Sequence, residues 1–290
     1  MGFKLSRLDL CDISGGTMGD SVRDAGLVHE VIGLVPAAGL GHRISPLPCS
    51  KELYPVGFRQ IDEKGTVSPK VVSHYLLEKM RLAGVRKAFV VLRDGKWDIP
   101  KYFGDGSLLD MNLAYLMMGL PYGAPYTADQ AYPFLQNSLV AFGFPDILFG
   151  PDDSYSYLLK RQAATHADIV LGVFPADRPD TMDMVDVNED GWVISLVIKP
   201  PRTTLQYAWI LAVWTPVFTR YQHEFLKKHV QQIDGSGRVQ QMEIAVGQVI
   251  QAAIQDGVRG QAVIFHDHRY LDIGTPGNLF KAVEQSAKRK

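Results

Sequence analysis

The sequence predicts an α/β fold built on a doubly wound, Rossmann-like sheet that is mixed but mainly parallel. Short apolar, β-branched runs recur along the chain, among them VIGLVP from Val31, KAFVVLR from Lys87 and ADIVLGVFPA from Ala167, and these read as buried strands. Stretches with apolar residues at helical spacing separate them, and the connections are short, which is the βαβ pattern of a parallel sheet. The 290 residues are 46% hydrophobic and 21% charged, which is ample for a large core and too apolar for overall disorder.

Residues 1–30 contain SGGTMGD and scattered charges without a sustained period, so they read as a poorly ordered or loosely docked N-terminal extension, with residues 31–290 as a single domain. Val31 to Pro36 should be a buried strand that turns at Ala37-Ala38-Gly39-Leu40-Gly41. Small residues at the end of a strand bare backbone N–H groups to an anion, and Arg43 and Lys51 add positive charge to the same place. The combination suits a nucleoside triphosphate, whereas the glycines alone would fit an ordinary strand-to-helix turn.

Pro69 opens a segment with Val71, Val72, Tyr75, Leu76 and Met80 at helical spacing, which Gly84 stops, and KAFVVLR then completes a βαβ unit. Trp97 to Phe103 reads as a short helix, Gly104 to Ser107 as a turn, and MNLAYLMM as the third strand. Thr127, Ala128 and Asp129 look like the first turn of a helix that carries Gln130. The fourth strand, in LVAFGFPD, ends at Pro145-Asp146, and an acidic residue there lies in the crevice where open α/β sheets bind ligands. Capping the next turn is the plainer role for Asp146. Asp152 and Asp153 read as caps of the helix SYSYLLKRQAATH.

After the strand ADIVLGVFPA comes a hairpin, MDMVDVNEDGWVISLVIKP, with its turn at Asn188 to Gly191. YAWILAVW is a further strand, followed by a helix opened by Pro216, and MEIAVGQVIQAAIQDG is an amphipathic helix ended by Gly257. Trp209 and Trp214 read as core or pocket wall. His266-Asp267-His268 near a strand end offers two histidines, too few on their own to read as a metal cluster.

The string PAAGLGHR, then SKELYPVG, resembles the signature of the sugar-1-phosphate nucleotidylyltransferases, in particular the glucose-1-phosphate thymidylyl- and uridylyltransferases. Gly39, Gly41, Arg43, Pro46, Lys51, Leu53 and Pro55 fall on the family's GxGTR, proline and lysine before LxP, with His42 in place of the threonine. Pro145-Asp146 resembles the family's Gly-Asp, VIKP its V-Glu-Lys-Pro, and YLDIGTP its aromatic-x-Asp-x-Gly-Thr-Pro ending. The resemblance implies a nucleotide-diphospho-sugar transferase fold and a reaction that joins a nucleoside triphosphate to a phosphorylated small molecule with release of pyrophosphate. It implies catalytic roles for Arg43 and Lys51, nucleotide contacts from Ala38, Gly39, Leu40, Gly41 and Gln130, and Mg2+ held by Asp146 and Asp272. Lys199 would hold the sugar phosphate, with Asp183 and Ile198 at two further sugar-contacting positions. Gln130 followed by Ala131 resembles the pattern that reads a pyrimidine, so dTTP or UTP is expected. Ile198 replaces a glutamate and Asp183 a glycine, which points to a deoxy, amino or non-hexose acceptor beside glucose 1-phosphate, the default that the resemblance implies. His42, Pro145, Ile198 and Asp183, the four departures from the family pattern, motivate a second class, a nucleotide-sugar-binding or regulatory homologue without turnover, and a scaffold protein forms a third.

A net charge of −1 provides no basic field for nucleic acid or anionic lipid. No stretch has the length and purity of a membrane span, and two cysteines, Cys11 and Cys49, are too few for a disulfide framework. The expectation is therefore a cytoplasmic protein with small-molecule partners, and the resemblance leaves room for a homo-oligomer.

Overall fold

The computed structural model describes residues 30–119, 123–234 and 244–287. The N-terminal extension expected for residues 1–30 lies outside them, apart from Glu30. The first half of the chain gives β1 (Val31–Pro36), β2 (Pro55–Gln60), β3 (Val67–Val71), α1 (Val72–Leu82), β4 (Lys87–Arg93), α2 (Asp98–Phe103) and β5 (Asn112–Met118). The middle adds α3 (Ala124–Asp129), α4 (Tyr132–Leu135), β6 (Leu139–Gly143), β7 (Ile147–Phe149), α5 (Ser154–Thr165) and β8 (Ile169–Pro175). The remainder comprises β9 (Asp183–Val187), β10 (Val193–Ile198), β11 (Tyr207–Trp214), α6 (Pro216–Asp234), α7 (Val246–Gln255), β12 (Gly260–Ile264), β13 (Tyr270–Asp272) and α8 (Pro276–Ala287).

Strands β5, β4, β1 and β6 pair in parallel, in that order. Strand β11 then runs antiparallel to β6 and to β8, and β12 pairs parallel with β8. Because β9 is also antiparallel to β11, only β11 and β10 run against the common direction, so the sheet is mixed and mainly parallel as expected. Its central strands β1, β6, β8 and β11 are continuous apolar runs because both faces are covered there. Leu76, Met80, Tyr155 and Leu158 of α1 and α5 cover one face. Tyr126, Phe218, Leu226, Val249 and Ile250 of α3, α6 and α7 cover the other.

One edge of β11 is shared by two strands. Leu211–Trp214 pairs with β6, whereas Tyr207 and Ala208 pair with β9. The chain leaves the sheet at Phe144 to Asp146, directly after β6, and β9 begins at Asp183. The sheet is therefore forked at this point, at the C-terminal end of a central strand, where open α/β sheets place their ligands.

Three local expectations are corrected. Pro69 does not open a helix: it lies inside β3, which pairs antiparallel with β2 in a separate two-stranded ribbon, and the helix starts at Val72. A proline is tolerated on such an edge because its missing N–H has no ladder partner to lose. Helix α3 begins at Ala124, so Thr127 to Asp129 form its last residues and Gln130 is its C-cap. Asp153 does occupy the N-cap position of α5, but its side chain makes no capping hydrogen bond, and Asp152 pairs with the Lys79 ammonium.

Candidate active site

A short antiparallel pairing assembles the acidic part of the site. In the β7–β13 ladder Asp272 stands opposite Ile147, and the Ile273 N–H donates to the Asp146 carbonyl at 3.0 Å. Two aspartates far apart in sequence are thus set side by side at the fork. Each is met by a cation from the glycine-loop segment. The Lys51 Nζ donates to Asp146 Oδ2 at 2.5 Å, and the Arg43 Nη2 lies 3.7 Å from Asp272 Oδ2. The Gly274 N–H donates to Asp272 Oδ1 at 2.6 Å.

The glycine loop supplies the roof. Ala37 and Ala38 are buried against the sheet, and the Ala37 N–H donates to Val91 O at 2.8 Å. Gly41 takes φ 67°, a left-handed conformation that starts the short 3-10 turn His42–Ile44 and delivers Arg43 toward Asp272. Lys51 opens a second 3-10 turn, Lys51–Leu53, and its ammonium passes beside Gly39, where an added Cβ would lie 3.5 Å from Nζ. Together these elements enclose a cavity of about 650 Å3. Gly123, Ala124 and Thr127 of the α3 segment form one wall, and Phe144 and Trp209 fill the fork itself. On the far side lie Met182, Asp183 and Lys199, closed off by Ala245 and Val246 at the start of α7.

The electrostatics of the cleft follow from its partial desolvation. Burial works against the Lys51 ammonium, but the carboxylates of Asp146 and Glu52 outweigh it and hold Lys51 above the ordinary lysine range. Burial, reinforced by the neighbouring Asp146 charge, pushes the Asp272 carboxyl up, against the Gly274 N–H, Arg43 and Lys51. Asp183 is likewise raised by burial, with Lys199, Trp209 and the Gly247 N–H opposing. Its Oδ1 is buried without a hydrogen-bond partner. Lys199 itself takes φ 43°, which is strained for a residue with a side chain, and its N–H is held by the Met182 carbonyl at 3.1 Å.

Ten of the residues singled out in the sequence meet on this one lining: Ala38, Gly39, Leu40, Gly41, Arg43, Lys51, Asp146, Asp183, Lys199 and Asp272. Two do not. Gln130 is exposed at the far end of α3, and its amide folds back to donate to the Tyr126 carbonyl at 3.3 Å. The early start of the helix puts it there. Ile198, at the end of β10, packs behind the lining, where its Cδ1 would lie 2.8 Å from a Cβ on Gly247. Sequence reasoning missed Thr127 as a wall residue, Glu52, and the start of α7. The tryptophans divide as core and wall: Trp214 is buried beneath the sheet, and Trp209 lines the cleft. His266 bonds the Tyr207 hydroxyl, and no group of three or more His, Cys, Asp or Glu side chains suited to a metal occurs among the described residues.

A family model described as nucleotidyl transferase matches residues 32–289. Among curated proteins, the chain is 24% identical over 253 residues to a glucose-1-phosphate thymidylyltransferase of Neisseria meningitidis, across 86% of this chain and 80% of that one. It is also 24% identical over 267 residues to a low-salt glycan biosynthesis nucleotidyltransferase of Haloferax volcanii, of which the match spans 64%, just under two thirds of its length. Two solved structures share the fold. A glucose-1-phosphate thymidylyltransferase-type protein of Bacillus anthracis in complex with a sucrose superposes with a TM-score of 0.73 at 15% identity, covering 90% of this chain and 96% of that one. A UTP-bound UGPase of Acinetobacter baumannii superposes with a TM-score of 0.65 at 17% identity, covering 88% and 93%.

Proposed function

The chain belongs to the nucleotidyl transferase family, and on that premise we propose that it is a magnesium-dependent pyrophosphorylase that joins dTTP or UTP to a sugar 1-phosphate. The observation that carries this reading is the convergence of Lys51, Asp146, Arg43 and Asp272 beneath the Ala38 to Gly41 loop. The reaction needs no protein nucleophile. A phosphate oxygen of the acceptor attacks the α-phosphorus of the triphosphate in line, a P–O bond forms, the bond to the β-phosphate oxygen breaks, and pyrophosphate leaves with the electron pair. Catalysis then consists of positioning and charge neutralisation.

The loop N–H groups and Arg43 bind the phosphates that leave, Lys51 the α-phosphoryl group, and Lys199 the acceptor phosphate. Asp146 and Asp272 fit Mg2+, which binds through one or two carboxylates and completes its shell with substrate phosphates and water. When bound, the ion would neutralise phosphate charge between the two substrates. Asp272 favours such an occupant, since its neighbour Asp146 and its own burial both disfavour the bare negative charge. Lys51 and Arg43 are the protein's own counter-charges to these carboxylates.

With Gln130 outside the cleft, the pyrimidine preference draws its support from the thymidylyltransferase relative and the UTP-bound neighbour. With Ile198 behind the lining, the case for a less polar acceptor loses its footing. Asp183 remains on the lining as an acceptor of hydrogen bonds, and it favours a sugar 1-phosphate that presents an amine or hydroxyl there. Purified protein with Mg2+, a panel of triphosphates and a panel of sugar 1-phosphates tests the reading through pyrophosphate release. Turnover should be greatest with a pyrimidine triphosphate, and no turnover with any pair from folded protein would refute the assignment.

A further inference from the structure

The 3-10 turn that carries Lys51 is gripped from behind by Lys96, in the loop after β4, and Asp98, the first residue of α2. On one side of Lys51, Asp98 takes both donors of Ser50: the Ser50 N–H reaches Oδ2 at 2.6 Å and its hydroxyl reaches Oδ1 at 2.6 Å. On the other side, the Lys96 Nζ donates to Glu52 Oε2 at 2.5 Å. This second contact is a buried ion pair, with the two side chains 6% and 1% exposed. The Ser73 hydroxyl holds the Glu52 carbonyl at 2.6 Å. Neither Lys96 nor Asp98 lies on the cleft lining, so no direct contact with substrate accounts for them.

Glu52 creates the need for this clamp. Glu52 adjoins Lys51 in sequence and borders the same cleft, and its buried carboxylate attracts the Lys51 ammonium. Left unpaired it would compete with Asp146 for that ammonium, and its Oε1 already lacks a partner. Burying a lone carboxylate is costly, so with Lys96 removed a neighbouring cation would be drawn to it. After Lys96, Lys51 is the cation whose charge acts on Glu52.

We propose that Lys96 and Asp98 are positioning residues for the reaction: they fix the residues on either side of Lys51, and Lys96 occupies Glu52 so that Lys51 remains free to face Asp146 and the phosphates. The inference rests on the pyrophosphorylase reading for its kinetic consequence, but its geometric consequence is independent of turnover.

The test compares wild type with Lys96→Met, Lys96→Arg, Asp98→Ala and the double variant Glu52→Gln/Lys96→Met, by crystal structure, thermal unfolding and steady-state pyrophosphate release. In Lys96→Met the Lys51 ammonium should move from Asp146 to Glu52, and kcat should fall about 10- to 100-fold, the scale of an ångström-level misplacement. KM values should stay within about threefold, since Arg43, the loop N–H groups and Lys199 keep their places and the displaced Lys51 acts mainly on charge that develops in the transition state. Lys96→Arg keeps a cation on Glu52 and should retain most activity. The double variant removes the rival carboxylate and should recover most of the lost kcat, which restored stability alone would not explain. Asp98 is only half-buried, so Asp98→Ala provides the arm that folds if Lys96→Met does not, and it should lower kcat in the same direction. A Lys51–Asp146 contact and a kcat both unchanged in Lys96→Met or Asp98→Ala would overturn the proposal, as would a double variant as slow as Lys96→Met. Absence of turnover in wild type would refute the parent reaction, and the crystal structures would still decide where Lys51 goes.

Discussion

The Lys51–Asp146 pair allows a structural role to be separated from a catalytic one. The two side chains are 16% and 12% exposed and meet at 2.5 Å, so each is the other's main compensation for lost hydration. Lys51→Met leaves the Asp146 carboxylate uncompensated and beside Asp272, whose charge it already opposes. Breaking a fully buried pair costs about 3–5 kcal/mol, and because Asp146 borders the cleft and can rehydrate we expect about 2 kcal/mol. At this chain length that corresponds to a fall in Tm of about 3 °C. The double variant Lys51→Met/Asp146→Asn leaves neither charge stranded and should return to near wild-type stability.

Turnover should not follow stability. Removing one preorganised donor to developing charge costs about 100- to 1000-fold in kcat, and the double variant restores no donor. Thermal unfolding and pyrophosphate release, measured side by side on the three proteins, therefore diverge: the double variant regains Tm over Lys51→Met but not turnover. A double variant that regains turnover together with Tm would show that Lys51 serves the fold alone. A Lys51→Met enzyme within about threefold of wild-type kcat would refute the role given to the lysine.

Gly274→Ala places a Cβ 2.6 Å from Arg43 Nη2 and 2.8 Å from Asp272 Oδ1, so one of them must shift. We expect a loss of about tenfold in kcat with little change in Tm, checked by kinetics and a crystal structure of the variant. Tyr155 is fully buried and its hydroxyl donates to the Phe142 carbonyl at 2.9 Å; Tyr155→Phe removes that hydrogen bond and should cost about 1 kcal/mol in denaturant unfolding. At Glu78 burial raises the carboxyl, but hydrogen bonds from His74 and Lys70 outweigh it and bring it down to about 2 from 4.5. A depressed carboxylate contributes stability that is present above pH 4.5 and lost as pH falls toward 2. With the side chain 37% exposed, that contribution is about 1 kcal/mol, and Glu78→Gln should flatten the acid limb of stability against pH by that amount.

The strands that build the sheet were legible because burial on both faces leaves an unmixed apolar signal: β1 and β4 fall where VIGLVP and KAFVVLR place them. The β2–β3 ribbon was not, because it is half exposed. Phe58 and Val67 face outward at 63% and 60%, and Pro69 read more readily as a helix start than as an edge-strand residue. The misplacement of Gln130 has a local cause that the sequence did contain. Pro125 in the first turn after Gly123 is a stronger helix-start signal than Thr127, and weighing it first would have moved the helix three residues earlier and Gln130 to its end.

The site divides along the same line. Its phosphate-facing half lies in one segment, where a glycine loop, an arginine and a lysine follow a strand directly, and short-range reasoning suffices for that. The meeting of Asp146 with Asp272 depends on a ladder of three residue pairs between β7 and β13, too short to announce itself in either stretch. The acceptor half depends on longer-range placement still. Asp183 reaches the cleft because β9 takes the part of the β11 edge that β6 leaves free, and its carboxylate then lies against the start of α7. An added Cβ on Gly247 would collide with Asp183 Oδ2 and press on Ile198 Cδ1, so the glycine is what lets α7 close over the acceptor side. Neither residue signals the other locally. The fork in the sheet is thus the feature that turns a set of strand-end residues into a single cleft, and it exists because β11 extends past the end of β6.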